Sequence, residues 1–280
     1  MKVLQLETFM TIQNRSLTPR KSPLGWVGGK SKLTSTLIPL IAPHKCYVEA
    51  FAGAAWMLFR KDPSKVEVIN DINGDLITLY RVIQNHLEEF IRYFKWSLVS
   101  REEFDRLQRV DESTLTDIQR AARFYYLLRN AFGAKIVAQS FCVANSSKPR
   151  LNLLRLEEDL SEAHLRLSRV TIENLPYEQL IKRYDGKDVF FYVDPPYWNC
   201  ENVYGKGLFD KNDFERLRDV LKDCEGKWLM SINNTPQIRT LFADFYMKEV
   251  QTTYSISQTK VMPVTELLIA NYNLAFSTSS

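Results

Sequence analysis

Residues 190–198 read FFYVDPPYW. Val189 to Val193 form an unbroken run of β-branched and aromatic residues, which reads as a strand buried on both faces of a parallel sheet. The run ends on a carboxylate, Asp194, and open α/β sheets bind their ligands at the carboxyl ends of their strands. Pro195 confines Asp194 to extended conformations. Neither Pro195 nor Pro196 has an N–H to offer a neighbouring strand, so the chain leaves the sheet as a stiff loop. A side-chain acceptor, a carbonyl acceptor and the Tyr197 ring are thereby presented together at a sheet edge. The tetrapeptide alone also fits a strand that simply stops in a proline turn, so other parts of the chain must decide.

Three further stretches carry chemistry. In EAFAGAA only Gly53 is glycine, so this is no dinucleotide fingerprint; it reads as a strand, a tight turn and a helix N-terminus with unpaired amides. Asp71 ends the next apolar run, where an acid accepts from ribose hydroxyls or, alternatively, caps the helix that begins near Asn73. GWVGGKS has the wrong glycine spacing for a phosphate loop. Its Trp26 and Lys30 can instead hold a ligand through ring packing and an ammonium set against a carboxylate.

From Ile118 to Leu156 there are seven cations and no Asp or Glu: Arg120, Arg123, Arg129, Lys135, Lys148, Arg150 and Arg155. Phe124, Tyr125, Tyr126, Phe132 and Phe141 are interleaved, giving cations for phosphates and rings to stack or wedge between bases. The alternative is a helix with its rings in a core and its arginines solvated.

The elements that must position these groups follow from periodicity. Residues 45–61 read as a short strand, a tight turn at Gly53 and a helix; strands are expected at 66–71, 170–174, 188–193 and 227–233, with two more in FYMKEVQTTYSIS and TELLIANYNL joined by a longer polar loop. Helical spacing fills DLITLYRVIQNHLEEFIRYFKWSL, REEFDRLQRV, TDIQRAARFYYLLRNAF, LRLEEDLSEAHLRLSRV and KNDFERLRDVLKD. Strand and helix alternate on both sides of a helical stretch, which argues for a doubly wound α/β sheet with a mainly helical insert. The expected division is a catalytic domain of residues 1–85 and 165–280, with 1–22 as a tail, around an insert of residues 86–164.

With 280 residues and a net charge of +4, bulk electrostatics say little about partners. No run is apolar enough for a membrane span or a secretory signal, so a cytoplasmic protein without a membrane partner is expected. Cys46, Cys142, Cys200 and Cys224 lack paired spacing and the three histidines are isolated, so neither disulfides nor a metal site is expected.

Taken in order, WVGGK, YVEAFAGAAWMLF, VINDINGDLITLY, a helical insert, FFYVDPPYW, WLMSINNTP and TELLIANY resemble the Dam family of site-specific DNA adenine methyltransferases. The resemblance implies an S-adenosylmethionine-dependent methyltransferase fold with an inserted target-recognition domain, acting on adenine N6 in double-stranded DNA after base flipping. By the same likeness Trp26, Lys30, Phe51, Gly53, Asp71 and Asp194 bind the cofactor, with Lys30 on its carboxylate, and Asp194, Pro195, Pro196 and Tyr197 are catalytic. The insert supplies Arg120, Arg123, Arg129, Lys135, Gln139, Asn145, Lys148 and Arg150 as DNA contacts, and GATC is the first candidate site. A monomer is favoured. The chain departs from the family in having Ala54 and Ala55 where a second turn glycine is usual, and 133–152 does not align with the recognition hairpin of the best-known members.

The chemistry is consistent with this. An adenine amino lone pair is delocalised into the ring and attacks a sulfonium methyl poorly until its hydrogens are accepted; Asp194 and the Pro195 carbonyl supply two acceptors. The alternatives are a cytosine N4 methyltransferase, which needs the same acceptors, and an inactive DNA-binding protein on this fold. Asp rather than Ser at the head of the motif favours adenine, and an intact motif argues against inactivity.

Overall fold

The computed structural model describes residues 21–26, 28–142, 151–201, 205, 207–257 and 260–274; at 253–257 and 260–263 it describes the backbone alone. Asn145, Lys148 and Arg150 therefore lie outside the described residues, as does most of the expected tail. Seven strands form one sheet in the order β3-β2-β1-β4-β5-β7-β6. They are β1 (Cys46–Glu49), β2 (Val66–Asn70), β3 (Val170–Glu173), β4 (Val189–Val193), β5 (Lys227–Asn233), β6 (Tyr246–Ser257) and β7 (Lys260–Ala270). The first five are parallel, and β7 lies antiparallel between β5 and β6. β1, at the centre of the parallel part, is flanked by β2 and β4. Strands β2 and β3 are added on one side of β1 and β4 and β5 on the other, so the strand order reverses there, and such switch points leave a crevice at the strand ends.

Alternation along β4 explains the layers. Phe190 and Tyr192 join a core on one face of the sheet, while Phe191 and Val193 join a second core on the other. The helices are α1 (Trp56–Arg60), α2 (Gly74–Asn85), α3 (Leu87–Tyr93), α4 (Arg101–Arg109), α5 (Asp117–Asn130), α6 (Leu156–Leu167), α7 (Tyr177–Tyr184), α8 (Lys211–Lys222) and α9 (Pro236–Leu241), besides a single turn at Thr34–Leu37. Helices α2 to α6 cover the first face and α7 to α9 the second. Their N-termini are capped from the sequence: Asn73 accepts from the amides of Asp75 and Leu76, Ser100 caps α4, and Thr116 forms a reciprocal capping box with Gln119 on α5.

The structure amends the sequence reading in three places. Helices α7 and α9 fall in stretches given no element, because each is short. The helical stretch after Asp75 breaks at His86 into α2 and α3. Lys260 to Val264, expected within a longer loop, belong to the ladder, with Ser257 opposite Lys260.

Buried residues of the stretch 86–164 pack in the same cluster as the sheet. Phe90, Phe104, Tyr125 and Leu160 share one cluster with Tyr47, Ile69 and Phe190 of the sheet. Phe124, Tyr125 and Tyr126 are buried in that cluster, which corrects their reading as base-stacking rings. Full burial of such a ring gains about 1.5–3 kcal/mol, so rings at helical spacing turn inward. Phe141 packs on Phe104, with ring centroids 5.5 Å apart; among the interleaved rings Phe132 alone is exposed, at 52%. The missing acids come from outside the basic stretch. Arg120 pairs with Asp75 of α2, and Arg123 pairs with Glu112 and donates to the Leu107 carbonyl.

Candidate active site

The turn after β1 is held from several directions. Ala50 N donates to the Tyr192 carbonyl at 3.0 Å and Ala52 N to the Asn70 carbonyl at 2.8 Å. The buried Asn70 side chain donates to the carbonyls of Ala50 and Leu175 and accepts from Leu175 N, so one amide joins the loops after β1 and β3 to the end of β2. Gly53 sits at φ +47°, and a Cβ there would lie 2.7 Å from the Trp26 indole nitrogen. Ala55, in the second glycine's usual region, keeps the left-handed conformation at φ 50°.

Asp71 follows β2 directly and faces this turn. Its carboxylate accepts from Gly53 N and Asn73 N, each at 2.9 Å, and burial raises its pKa against those two amides. The helix cap is Asn73, which removes the capping alternative for Asp71. Phe51 packs on Tyr177 and Phe209, with centroids 5.5 and 6.0 Å away.

Asp194 follows β4 directly, as the sequence implies. Its Oδ1 lies 2.8 Å from Lys30 Nζ and accepts from Ser231 Oγ at 3.2 Å; Ser231 Oγ in turn contacts the Tyr192 hydroxyl at 2.8 Å. Lys30 donates to the Tyr197 hydroxyl at 2.7 Å, and that hydroxyl donates to Glu266 of β7. Burial pushes Asp194 up to about 6 against the pull of Lys30, with Glu266 adding to the rise and Ser231 opposing it. The loop is fastened beyond the motif by a reciprocal pair: Trp198 N donates to Asn233 Oδ1 at 2.9 Å, and Asn233 Nδ2 donates to the Trp198 carbonyl at 3.1 Å.

Both groups line one cavity of about 490 Å³, together with Trp26, Pro196 and Tyr177. That volume suits a small-molecule ligand (typically ~300–1,000 Å³). Asp71, Glu178, Asp194, Glu201 and Asp213 line it against the cations Lys30 and Arg216. Glu49, also in the wall, is pushed up to about 8 by burial despite donors from Tyr47 and Leu58, so it is largely neutral near pH 7. An excess of carboxylate fits a ligand with a cationic sulfur.

The expected cofactor and catalytic residues Trp26, Lys30, Phe51, Gly53, Asp71, Asp194 and Pro196 therefore meet at one cavity, and Tyr197 joins them through Lys30. Lys30 contacts Asp194 and Tyr197 and stands 3.8 Å from Glu266, so the half-buried carboxylate of Asp194 and the buried one of Glu266 both attract the cation. Ser231, Tyr192 and Glu266 were missed. The signal for Glu266 was an acid at the head of the apolar run ELLIA, on a strand whose reversed direction brings its start to the edge where parallel strands end.

A family model described as D12 class N6 adenine-specific DNA methyltransferase matches residues 26–256. The chain belongs to this class. Curated relatives agree along nearly the whole length. Type II methyltransferase M1.LlaDCHI of Lactococcus lactis subsp. cremoris is 28% identical over 272 residues, covering 88% of this chain and 94% of the relative. Type II methyltransferase M.CviBI of Paramecium bursaria Chlorella virus NC1A is 26% identical, covering 88% and 98%. Retron Ec67 DNA adenine methylase of Escherichia coli is 28% identical, covering 79% and 80%.

As a D12-class enzyme the chain transfers a methyl group from S-adenosylmethionine to adenine N6 in DNA, which sets aside the cytosine and inactive alternatives. Among the described residues no helix is long and apolar enough to cross a membrane.

Gly53→Ala is expected to destabilise the enzyme by about 1–2 kcal/mol, the cost of a left-handed residue bearing a Cβ, and to weaken donor binding as Trp26 is displaced. Thermal denaturation and equilibrium dialysis with labelled S-adenosylmethionine measure both; an unchanged affinity would show that the turn does not touch the donor.

Proposed function

We propose that Asp194 and the Pro195 carbonyl accept the two hydrogens of an adenine amino group flipped out of duplex DNA, at a short site for which GATC is the first candidate. The observation that carries this reading is Asp194 at the end of β4, held at Oδ1 by Lys30 and Ser231 and lining the cavity that also contains Asp71. Accepting both hydrogens favours the pyramidal nitrogen of the transition state. Pro195 and Pro196 are buried and keep the acceptors rigid, and the Tyr197 ring stacks on the flipped base. Trp26, Phe51, Gly53 and Asp71 hold the methyl donor, with the Asp71 carboxylate serving its ribose. The donor supplies an electrophilic methyl on positive sulfur, so the chain itself needs no nucleophile.

We assign target recognition to the insert, 86–164. Its best-placed portion is the loop 132–140, closed by an antiparallel bridge between Ala131 and Phe141, which exposes Phe132, Lys135 and Val137. Ala134 in this loop packs 3.6 Å from the position of a Cβ on Gly25, beside the Trp26 wall of the cavity. Lys135 and Gln139 are the described candidates for direct contact, whereas Arg120 and Arg123 act mainly as ties between helices. The enzyme is read as a cytoplasmic monomer.

Expression in a cell lacking its own methyltransferases, followed by genome sequencing for modified bases, tests base, position and site together. Methylated adenine at another sequence overturns GATC alone; methylated cytosine overturns the base as well. A second expected result separates the cations. Lys135→Ala lowers the salt slope of DNA binding by about 0.9, one phosphate contact, at unchanged stability. Arg123→Ala lowers stability instead, by about 1–3 kcal/mol, by leaving the Leu107 carbonyl without its donor. Salt titrations of DNA binding and urea denaturation of both variants check this.

A further inference from the structure

Glu266 has no place in the chemistry described so far, yet it is fully buried at 0% exposure beside the reacting groups. Its Oε1 accepts from the Tyr197 hydroxyl, and its Oε2 lies 3.8 Å from Lys30 Nζ. A buried carboxylate is costly to keep in a fold unless its position serves something. The register fixes that position: Glu266 pairs with Asn233, the residue that clamps Trp198. One rung of the sheet, where β7 runs antiparallel to β5, thus grips the catalytic loop twice, through Trp198 and through Tyr197.

The contacts form a closed arrangement. Lys30 touches Asp194 Oδ1, the Tyr197 hydroxyl and Glu266, and stands 4.5 Å from the centroid of the Tyr197 ring. Asp194 and Tyr197 are three residues apart with Pro195 and Pro196 between them, and nothing in that spacing alone fixes the ring relative to the carboxylate. We propose that Glu266 is a positioning residue for methyl transfer: by holding the Tyr197 hydroxyl and sharing Lys30 with Asp194, it locks the hydrogen-accepting carboxylate and the stacking ring into one unit. This rests on the reading of Asp194 as the acceptor.

Two consequences can be measured. First, releasing Tyr197 lets the ring and the bound base shift, and a misplacement near 1 Å costs about 10²-fold in rate. Second, the negative charge of Glu266 opposes ionisation of Asp194. The titratable or charged groups around Asp194 are Lys30 from the Gly-rich loop, Glu49 of β1, Tyr192 of β4, Tyr197 and Glu266; of these Lys30 favours its charged form and Glu266 disfavours it. Removing the charge at 266 moves the titration of Asp194 to lower pH.

The test is single-turnover methylation of duplex DNA across pH for the parent, Glu266→Gln, Tyr197→Phe and Asp194→Asn. For Glu266→Gln the expected result is a plateau about 10²-fold lower, with the acid limb displaced to lower pH and affinities for DNA and S-adenosylmethionine unchanged. Tyr197→Phe lowers the plateau but leaves the acid limb in place, since it removes the hydroxyl and no charge. A parental plateau and acid limb in Glu266→Gln, with Asp194→Asn inactive, overturns the role of Glu266 alone. A parental rate in Asp194→Asn overturns the reading on which it rests. Should Glu266→Gln fail to fold, Tyr197→Phe decides: a parental rate there means that the tie to Glu266 positions nothing.

Discussion

Asp194→Ala is expected to lower single-turnover methylation by at least about 10²–10³-fold, the usual cost of losing one preorganised transition-state hydrogen bond, and by more because this acceptor is charged. Folding and DNA binding are expected to survive. Asp194 is charged and held near Lys30, so its removal leaves that cation with Tyr197 and Glu266 as neighbours. The same residue sets a pH dependence in the parent. Burial holds Asp194 at about 6, so the ionised acceptor is present above that value and the rate falls as pH drops through it. Rapid-quench assays with labelled donor measure both. Near-parental turnover in Asp194→Ala would end the proposed mechanism.

Glu67→Ala is expected to have the largest effect on stability. Glu67 accepts from Lys61 Nζ at 2.6 Å, from Ser64 N at 3.1 Å and from two nitrogens of Arg166, all at the foot of β2 and nearly sealed from solvent. Burial pushes its carboxyl upward, but the hydrogen bonds and charges of Arg166 and Lys61 outweigh it and hold the pKa below the ordinary value. Without Glu67 two buried cations face each other. Lys61, already lowered by burial, can shed its proton, whereas Arg166 cannot. Breaking one side of a buried ion pair costs ~3–5 kcal/mol. Because the folded pKa is depressed, this stability is present above the ordinary carboxylate range and lost as pH falls through the folded value, so the difference between parent and variant narrows in acid. Urea denaturation at neutral and acidic pH measures it; a loss under 1 kcal/mol at neutral pH would show that the cluster relaxes around the gap.

What the sequence disclosed depended on how local the determinant was. Asp194 was legible because a strand of five apolar residues and two prolines fix it within its own neighbourhood, and Asp71 because an acid ends an apolar run. The partners of Lys30 were not legible, since Asp194 and Glu266 come from distant strands and their meeting depends on sheet order. The basic insert misled for a related reason. No acid lies within it, yet Asp75 and Glu112 reach Arg120 and Arg123 from neighbouring helices, and helical spacing did not say which side Phe124, Tyr125 and Tyr126 would face. Short helices such as α7 and α9 give too few turns to set a period.

The strand order β5-β7-β6 carries a consequence for biosynthesis. A ribosome makes β7 after every other strand of the sheet, yet β7 must settle between two that already exist, and it brings Glu266 with it. The N-terminal loop with Lys30, the β4 loop and β5 can assemble earlier, but the group that fastens Tyr197 arrives only with this late insertion. A chain that stops before residue 266 would lack the carboxylate that accepts from the Tyr197 hydroxyl.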